Sequence, residues 1–304
     1  MRSSESGQYY KTKKEEMSTI PININAIVFT LNSGLSCGGG FFSVFFFLCN
    51  AYLHAKNLCI PFFIQHDEWP YTFQKGWHDY FTTLEQLPPF FLTSEKNVQH
   101  SSHMKAYHPV FSLKEYADCI QTIFKLRPEL YDRVSILKEQ LGTSYIAIFV
   151  RRGDKLIEEA SYIHFKDILS KITYDENSVF FIQTDDFTVV EEAKVCLPSN
   201  TIMSTVPHTK RGSFHSRYYL EKDKLNACNS TIIPWTEKTK QDIYDETTEM
   251  LVGLHVCIAA SECWTDITSN VGRFLVLSNP SAKVYPCEIT VDLQKLDQPW
   301  YRIT

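Results

Sequence analysis

Two hydrophobic patterns alternate along most of the chain. Runs of about four to eight β-branched and aromatic residues predict buried strands, and longer stretches with apolar residues on one face predict helices. Strands that alternate with helices are typical of a parallel, doubly wound α/β sheet. The predicted strands are 25–31, 58–65, 145–150, 179–183, 201–204 and 263–265, and the predicted helices are 41–56, 112–125, 129–141, 162–172, 189–195, 241–260 and 270–276.

The same pattern predicts three parts of the chain. Residues 1–20 are polar and charged, which predicts a disordered lead segment. Residues 21–143 predict an N-terminal α/β domain, and residues 144–304 predict a C-terminal Rossmann-type domain. With 304 residues, the chain is long enough for two such domains and a cleft between them.

Charged residues are concentrated directly after the predicted strand 145–150. Arg151 and Arg152 come first, and Asp154, Lys155 and Glu159 follow within the next seven residues. Open α/β sheets bind their ligands at the carboxyl ends of strands, and guanidinium groups bind phosphate oxygens in a bidentate manner. The two adjacent arginines therefore predict an anionic ligand. The alternative is a surface loop of solvated charges, or an arginine–aspartate pair that braces the turn.

A second polar segment follows the predicted strand 179–183. Thr184, Asp185 and Asp186 can begin the next helix, because an aspartate accepts hydrogen bonds from the first backbone N–H groups of a helix. Paired carboxylates can also contact a nucleotide or hold Mg²⁺ or Mn²⁺. All three interpretations stay open at the level of the sequence.

Two later segments carry further candidates for the same ligand. His215 and Arg217 lie close together in a segment that can reach an anion or a sugar from the other side of a cleft, or form a solvated basic turn. Ser269, Asn270 and Arg273 begin the last predicted helix. The start of a helix offers free backbone N–H groups to a phosphate.

These segments together resemble the α1,6-fucosyltransferases, a family that includes the core-fucosylating enzymes of glycoprotein synthesis and the bacterial nodulation-factor enzymes. The family motif His-Val-Arg-Arg-x-Asp-Lys, with Glu-Ala four residues later, resembles the stretch from Phe149 to Ala160. The resemblance covers about residues 126–276. It also includes Thr184-Asp185-Asp186, the stretch from Gly212 to Tyr218, and His255 with Ser269, Asn270, Val271 and Arg273.

The resemblance implies a GT-B-like fold, in which two Rossmann-type domains face each other. It implies GDP-fucose as the donor, a glycan as the acceptor, inversion at the sugar carbon, and no metal or other cofactor. Arg151 would neutralise the diphosphate, Glu159 would be the base, and Lys155 and Asp154 would position that base. The residues expected to contact the nucleotide are Arg151, Arg152, Asp185, Asp186, His215, Arg217, Glu249, Ser269, Asn270 and Arg273.

The chain departs from the family pattern at three positions. Phe149 stands in place of a histidine near the nucleotide, and Ile168 in place of a tyrosine. Gly253 stands in place of an aspartate that reads the base, a role that Glu249, one turn earlier, could take. The α1,2-fucosyltransferases carry a similar arginine loop, so an α1,2-fucosyltransferase-like enzyme is one alternative. A non-catalytic protein that binds a sugar nucleotide or a glycan is another.

Composition narrows the class of protein further. A net charge of −5 excludes broad nucleic-acid binding but allows a local basic pocket. The most apolar run, residues 41–53, is too short to span a membrane, and no signal peptide is apparent, which favours a cytoplasmic protein. The nine cysteines form no CxxC pair, so reduced thiols are expected. No GxSxG, HExxH or kinase signature points to another enzyme class.

Two stretches of the N-terminal half have more than one interpretation. The glycine-rich residues 32–40 can form a nucleotide-binding turn or a tight turn before a closely packed helix. The aromatic side chains of residues 66–80 can form an acceptor platform for a sugar ring or part of the core. They are Trp69, Tyr71, Phe73, Trp77 and Tyr80.

Overall fold

The structure is a computed structural model that describes residues 26–31, 40–66, 69–87, 98–101, 111–152, 162–210, 212, 238–285 and 289–290. The strands within these residues are β1 (Ala26–Thr30), β2 (Phe62–Gln65), β3 (Glu85–Gln86), β4 (Val98–Ser101), β5 (Ile146–Val150), β6 (Val179–Thr184), β7 (Thr201–Met203), β8 (Glu262–Thr265), β9 (Ala282–Val284) and β10 (Ile289–Thr290). The helices are α1 (Phe41–Asn57), α2 (Leu113–Ile123), α3 (Pro128–Leu141), α4 (Phe165–Leu169), α5 (Thr188–Cys196), α6 (Lys240–Ile258) and α7 (Asn270–Ser278). A 3₁₀ turn covers Gly76–Asp79.

The strands form two sheets, which confirms the predicted doubly wound α/β fold. The first sheet has the order β3-β2-β1-β4 with all neighbours parallel. The second has the order β10-β9-β8-β5-β6-β7 and is parallel except for the pair β9 and β10. The chain runs from β5 to β6 on one side and later returns to β8 on the other. The carboxyl end of β5 is therefore a topological switch point, where ligands bind in open α/β sheets.

The largest apolar cluster within the described residues has members in both sheets. It contains Ile27 of β1 and Ala147 of β5, with aromatic side chains of α1 and α7 between them. The ring of Phe42 in α1 lies 4.7 Å from that of Phe274 in α7, and Phe124 lies 4.5 Å from Phe274. Because a fully buried phenylalanine contributes about 1.5–3 kcal/mol, these contacts hold α1 against α7. The first turns of the two helices consequently meet between the sheets.

Helix α1 ends in a way that the hydrophobic pattern does not reveal. The sequence predicted a strand from residue 58, but Cys59 has φ +54°, and the N–H of Ile60 donates to the carbonyl of Ala55 over 3.1 Å. This is a Schellman motif, which normally has glycine at the position of Cys59. The strand begins at Phe62, because the four preceding residues close the helix and turn the chain.

The remaining differences come from short or polar elements. The predicted helix 162–172 is reduced to α4, which begins after His164. The strands β3 and β4 have the sequences Glu-Gln and Val-Gln-His-Ser, which lack an apolar alternation.

Every cysteine within the described residues is a free thiol. None of the helices in these residues is long and apolar enough to cross a membrane.

His255 in α6 provides a test of the core between α3 and α6. Its ring stacks on Phe124 at 5.4 Å and meets the ring of Tyr131 edge-on at 6.2 Å. Burial lowers the pKa of His255 to about 4 from an ordinary value of 6.5, and Lys138 contributes to the shift. The unfolded chain therefore binds a proton below pH 6.5 that the folded chain excludes down to about pH 4.

We expect the titration of His255 to lower the free energy of unfolding by about 3 kcal/mol as the pH drops from 6.5 to 4. The variant His255→Phe keeps an aromatic ring and removes the titration, so its stability should depend less on pH. Urea unfolding of both proteins at pH 7, 5.5 and 4.5 measures the difference. Equal pH dependence in the two proteins would contradict a neutral, partly buried His255.

Candidate functional site

The switch point of the second sheet brings together the charged residues that follow β5 and β6. Arg151 forms an ion pair with Asp185, and the backbone N–H of Arg152 donates to the other carboxylate oxygen of Asp185 over 2.7 Å. Because β5 and β6 are adjacent and parallel, these residues leave the sheet side by side. The arginine–aspartate pair considered from the sequence is therefore present. A guanidinium group carries five N–H donors, so an ion pair with one carboxylate is compatible with phosphate binding.

The side chain of Arg152 does not lie where the sequence predicted. Both guanidinium groups were expected to face the same ligand, but that of Arg152 is enclosed by protein. Its side chain is only 3% exposed, and its Nη2 donates to the carbonyl of Ile163 over 3.1 Å. The same nitrogen lies 3.2 Å from a carboxylate oxygen of Glu192, and the guanidinium carbon lies 3.8 Å from the centre of the Tyr162 ring. Consecutive side chains of an extended backbone point in opposite directions, so only one of two adjacent arginines can face a given side.

Asp186 lies one residue before Phe187, the N-cap residue of α5, so the predicted capping by an aspartate side chain is replaced by a turn at the start of the helix. Its carboxylate accepts from the backbone N–H of Thr188 over 3.0 Å at the start of α5, and its own N–H donates to the hydroxyl of Thr184 over 3.1 Å. Asp185 contacts arginine, as described above. The described residues contain no group of three or more histidine, cysteine, aspartate or glutamate side chains that could hold a metal ion. Metal independence stays a prediction.

The first turn of α7 meets the first turn of α1 at this edge. The hydroxyl of Ser269 accepts from the N–H of Gly272 over 3.0 Å and so caps α7. The side-chain amide of Asn270 donates to the hydroxyl of Ser43 in α1 over 2.7 Å, and Arg273 donates to the amide oxygen of Asn270 over 3.2 Å. Both helices therefore direct their N-terminal ends, which carry a partial positive charge, at the same region.

Tyr71 covers the start of α1. Its hydroxyl accepts from the backbone N–H of Phe41 over 2.9 Å. Burial raises the pKa of Tyr71 to about 12, although the hydrogen bond from Phe41 and the nearby charge of Arg151 both act in the opposite direction. The charge of Arg151 therefore acts on the hydroxyl that covers the N-terminus of α1.

A partly buried ion cluster formed by Glu246, Lys210 and Lys238 had no signal in the sequence. Glu246 of α6 lies 3.3 Å from the amine of Lys210 and 2.6 Å from the amine of Lys238. Burial alone would raise the pKa of Glu246, but the two lysines outweigh it and lower that pKa. Burial likewise lowers the pKa of Lys210, and Glu246 opposes this shift. Lys238 is 8 residues from Glu246, but Lys210 is 36 residues away, so only the fold brings Lys210 into the cluster.

The region of Gly253 explains one departure from the family pattern. A Cβ atom at Gly253 would lie 2.2 Å from the side-chain oxygen of Gln183, so an aspartate has no space here unless Gln183 moves. Gln183 is the register partner of Phe149, the other departure, and its oxygen accepts from the hydroxyl of Thr205 over 3.1 Å. Glu249 forms an ion pair with Arg133 of α3. The base-reading role of Glu249 stays a prediction.

Most of the aromatic stretch 66–80 belongs to the core. Trp69, Trp77 and Tyr80 are at most 4% exposed. The interpretation of these three side chains as an acceptor platform is therefore wrong. They pack against Phe41 and Phe45 of α1, which the sequence could not distinguish from a surface platform. Phe73 is partly exposed and stacks on Tyr244 of α6 with ring centroids 4.6 Å apart. This contact ties the first half of the chain to α6.

A groove of about 600 Å³ lies at a different place, between α1 and β3. It is lined by Tyr52, Phe62 and Leu84, among others, and reaches the amino end of β2. The charged residues described above lie at the carboxyl ends of the strands. We therefore do not assign this groove to the candidate site.

Five of the predicted site residues lie outside the described residues. They are Asp154, Lys155, Glu159, His215 and Arg217. Their roles stay predictions. Of the others, Arg151, Asp185, Ser269 and Asn270 lie at the carboxyl edge of the second sheet, and Arg152 lies behind that edge.

Comparison of the sequence with protein-family models and with curated proteins gives no match. Among solved structures, the chain is similar to the NodZ α1,6-fucosyltransferase soaked with GDP-fucose, with 13% identity and a TM-score of 0.55 over 90% of this chain and 97% of that one. The chain is also similar to the NodZ fucosyltransferase from Bradyrhizobium, with 13% identity and a TM-score of 0.55 over 87% of this chain and 96% of that one. A variant of FUT1 from Arabidopsis thaliana in complex with GDP is similar with 9% identity and a TM-score of 0.51, over 91% of this chain and 74% of that one. The chain therefore has the GT-B-like, two-sheet fold of these fucosyltransferases, which confirms the predicted resemblance at the level of the fold.

Proposed function

We propose that this chain is a fucosyltransferase-like glycosyltransferase that moves L-fucose from GDP-fucose to a hydroxyl group of a glycan, with inversion at the sugar carbon. One observation carries the proposal. Arg151 lies at the switch point, and the first turns of α1 and α7 meet at the same edge of the sheet, in a fold shared with fucosyltransferases that were crystallised with GDP or soaked with GDP-fucose. The C-terminal half of the chain would hold the donor, and the N-terminal half would hold the acceptor.

The main demand on the site is the charge of the leaving group. As the bond between the fucose carbon and the phosphate oxygen breaks, that oxygen gains negative charge. Arg151 would neutralise it, and the backbone N–H groups at Ser269 and Asn270 would donate to the same diphosphate. Each such donor typically contributes about 3–4 kcal/mol to the transition state. Asp185 would hold the guanidinium of Arg151 in place.

The acceptor side requires a base. The acceptor hydroxyl would form the new bond to the fucose carbon on the face opposite to the departing phosphate, and its proton would pass to Glu159. Lys155 and Asp154 would position Glu159 and adjust its basicity. His215, Arg217, Glu249 and Arg273 would contact the nucleotide, and no metal ion would be needed.

Release of GDP from GDP-fucose tests the proposal directly. The protein is incubated with GDP-fucose and a panel of oligosaccharides, with and without EDTA, and the products are identified by mass spectrometry. We expect GDP release and a fucosylated product, both unchanged by EDTA. Binding of GDP with no product from any acceptor would favour the non-catalytic binder, and loss of product in EDTA would favour a metal site at Asp185 and Asp186.

A further inference from the structure

A polar cluster lies at the carboxyl ends of β2 and β3, apart from the charged residues described above. It consists of His66, which follows β2, Gln86, the last residue of β3, and His78 in the 3₁₀ turn. The side-chain nitrogen of Gln86 lies 2.8 Å from Nε2 of His66 and 3.3 Å from Nδ1 of His78. The other ring nitrogen of His78 lies 2.9 Å from the carbonyl oxygen of Leu84. One amide group thus joins two imidazole rings.

The carbonyl of Leu84 determines where the protons of this cluster lie. A carbonyl oxygen can only accept, so Nε2 of His78 carries a proton, and Nδ1 of the neutral ring accepts from the amide of Gln86. The same amide donates to Nε2 of His66, which leaves the proton of that neutral ring on Nδ1. Neither this Nδ1 nor the amide oxygen of Gln86 has a hydrogen-bond partner within the described residues. The cluster therefore offers one free N–H donor and one free carbonyl acceptor.

The backbone around the cluster holds both rings in place. The ring of His66 packs so closely on Gly76 that a Cβ atom there would lie 2.3 Å from its Cγ atom. The carboxylate of Asp79 accepts from the backbone N–H groups of residues 73–75 over 2.8–3.0 Å, which fixes the turn before Gly76. Leu84 has φ +65°, a conformation that leucine rarely adopts. Such backbone conformations are concentrated at ligand sites.

The cluster lies on the edge of the first sheet that is joined to the candidate site. β1 and β2 are parallel neighbours, so their carboxyl ends lie side by side. Helix α1 follows β1 and ends before the start of β2, so it begins at this carboxyl edge. The hydrogen bond from Asn270 to Ser43 therefore joins the carboxyl edges of the two sheets. His66 follows β2 on the first edge, and Arg151 follows β5 on the second.

We infer that His66 and Gln86 form a subsite for an uncharged sugar residue of the acceptor. This inference rests on the proposed function. A sugar hydroxyl both donates and accepts hydrogen bonds, so a fixed N–H donor beside a carbonyl acceptor suits a pair of hydroxyl groups. Neutral imidazole rings supply no charge to balance an anionic sugar. The subsite lies within the stretch predicted to contact the acceptor, but its histidines replace the buried aromatic rings.

The variant His66→Phe tests the subsite, because it keeps a ring against Gly76 and removes both ring nitrogens. His54→Phe is the matched control, since His54 lies in the last turn of α1, at the opposite edge of the first sheet. With the best neutral oligosaccharide of the panel, we expect His66→Phe to raise the acceptor KM by about 5- to 50-fold through lost hydrogen bonds. The KM for GDP-fucose and the Kd of GDP, measured by calorimetry, should stay within about twofold of the wild type. His54→Phe should match the wild type in all three.

Monodeoxy derivatives of the same oligosaccharide distinguish a direct contact from a structural effect. One derivative should raise the KM of the wild type but cause no further rise in His66→Phe, because the hydrogen bond is already absent. If His66→Phe fails to fold, Gln86→Ala replaces it with the same expected results, since Gln86 is exposed.

The outcomes separate the subsite from the proposed function. An acceptor KM equal to that of His54→Phe, or a variant as sensitive as the wild type to every monodeoxy derivative, would overturn the inference alone. A parallel loss of GDP affinity would also overturn it, since the cluster would then serve the donor. A wild-type protein that forms no fucosylated product would overturn the proposed function, and the inference with it.

Discussion

Replacing Arg151 with alanine should lower the kcat for GDP release by about 10²–10³-fold, because a preorganised donor to the leaving group is lost. Arg151 is the arginine that follows β5 at the switch point and pairs with Asp185. Arg151→Lys keeps the charge but not the planar fork, so its kcat should lie between those of the wild type and Arg151→Ala. Steady-state kinetics with GDP-fucose measure all three proteins.

The control must separate this effect from a loss of stability. Asp185 is only 11% exposed, and without Arg151 its carboxylate loses its ion-pair partner, which should destabilise the fold by about 1–3 kcal/mol. Arg127→Ala removes an arginine that pairs with Glu129 at the start of α3, away from the site. We expect this control to keep its kcat. Arg151→Ala with wild-type kcat would contradict the assignment of Arg151 to the leaving group.

Replacing Gly272 with alanine should destabilise the protein by about 3 kcal/mol or more, because a side chain there overlaps the backbone. A Cβ atom at Gly272 would lie 1.6 Å from the carbonyl oxygen of Asp266, which cannot move as a flexible side chain would. Helix propensity alone predicts the opposite sign, since alanine is better than glycine in a helix by about 1 kcal/mol. Chemical denaturation followed by circular dichroism therefore distinguishes the two effects.

Gly142→Ala is the comparison for Gly272→Ala. Gly142 has φ +80° and ψ −167°, and no atom lies within 4 Å of a Cβ built there. Its replacement should cost about 1–3 kcal/mol through backbone strain alone. A Gly272→Ala protein as stable as the wild type would mean that α7 can move away from the loop at Asp266. The close approach of α7 to β8 would then not be needed for stability.

The hydrophobic pattern was sufficient to predict the elements that carry the fold. Buried strands such as β5 and β6, and long helices such as α1 and α6, have local patterns that require no knowledge of the partner. The pattern failed where an element is too short or too polar, as in β3 and β4, and where a helix ends on Cys59 without a glycine. The fold class followed from the alternation of these elements.

The sequence also placed Arg151 and Asp185 at one edge, because each directly follows a strand and parallel strands end together. It could not distinguish Arg151 from Arg152, since two adjacent arginines look equivalent until the directions of their side chains are known. It gave no indication of Glu192, which is 40 residues from Arg152, or of Glu246, which is 36 residues from Lys210. Contacts between residues so far apart in the sequence depend on how the strands pair.

The sequence by itself determined the alternating α/β pattern and the charged residues at the ends of β5 and β6, because both are properties of neighbouring residues. The tertiary structure alone decided which arginine is buried, which carboxylate pairs with each of the two arginines, and that Gly253 packs against Gln183. The physical reason is that side-chain partners and free space are set by the packing of elements far apart in the chain.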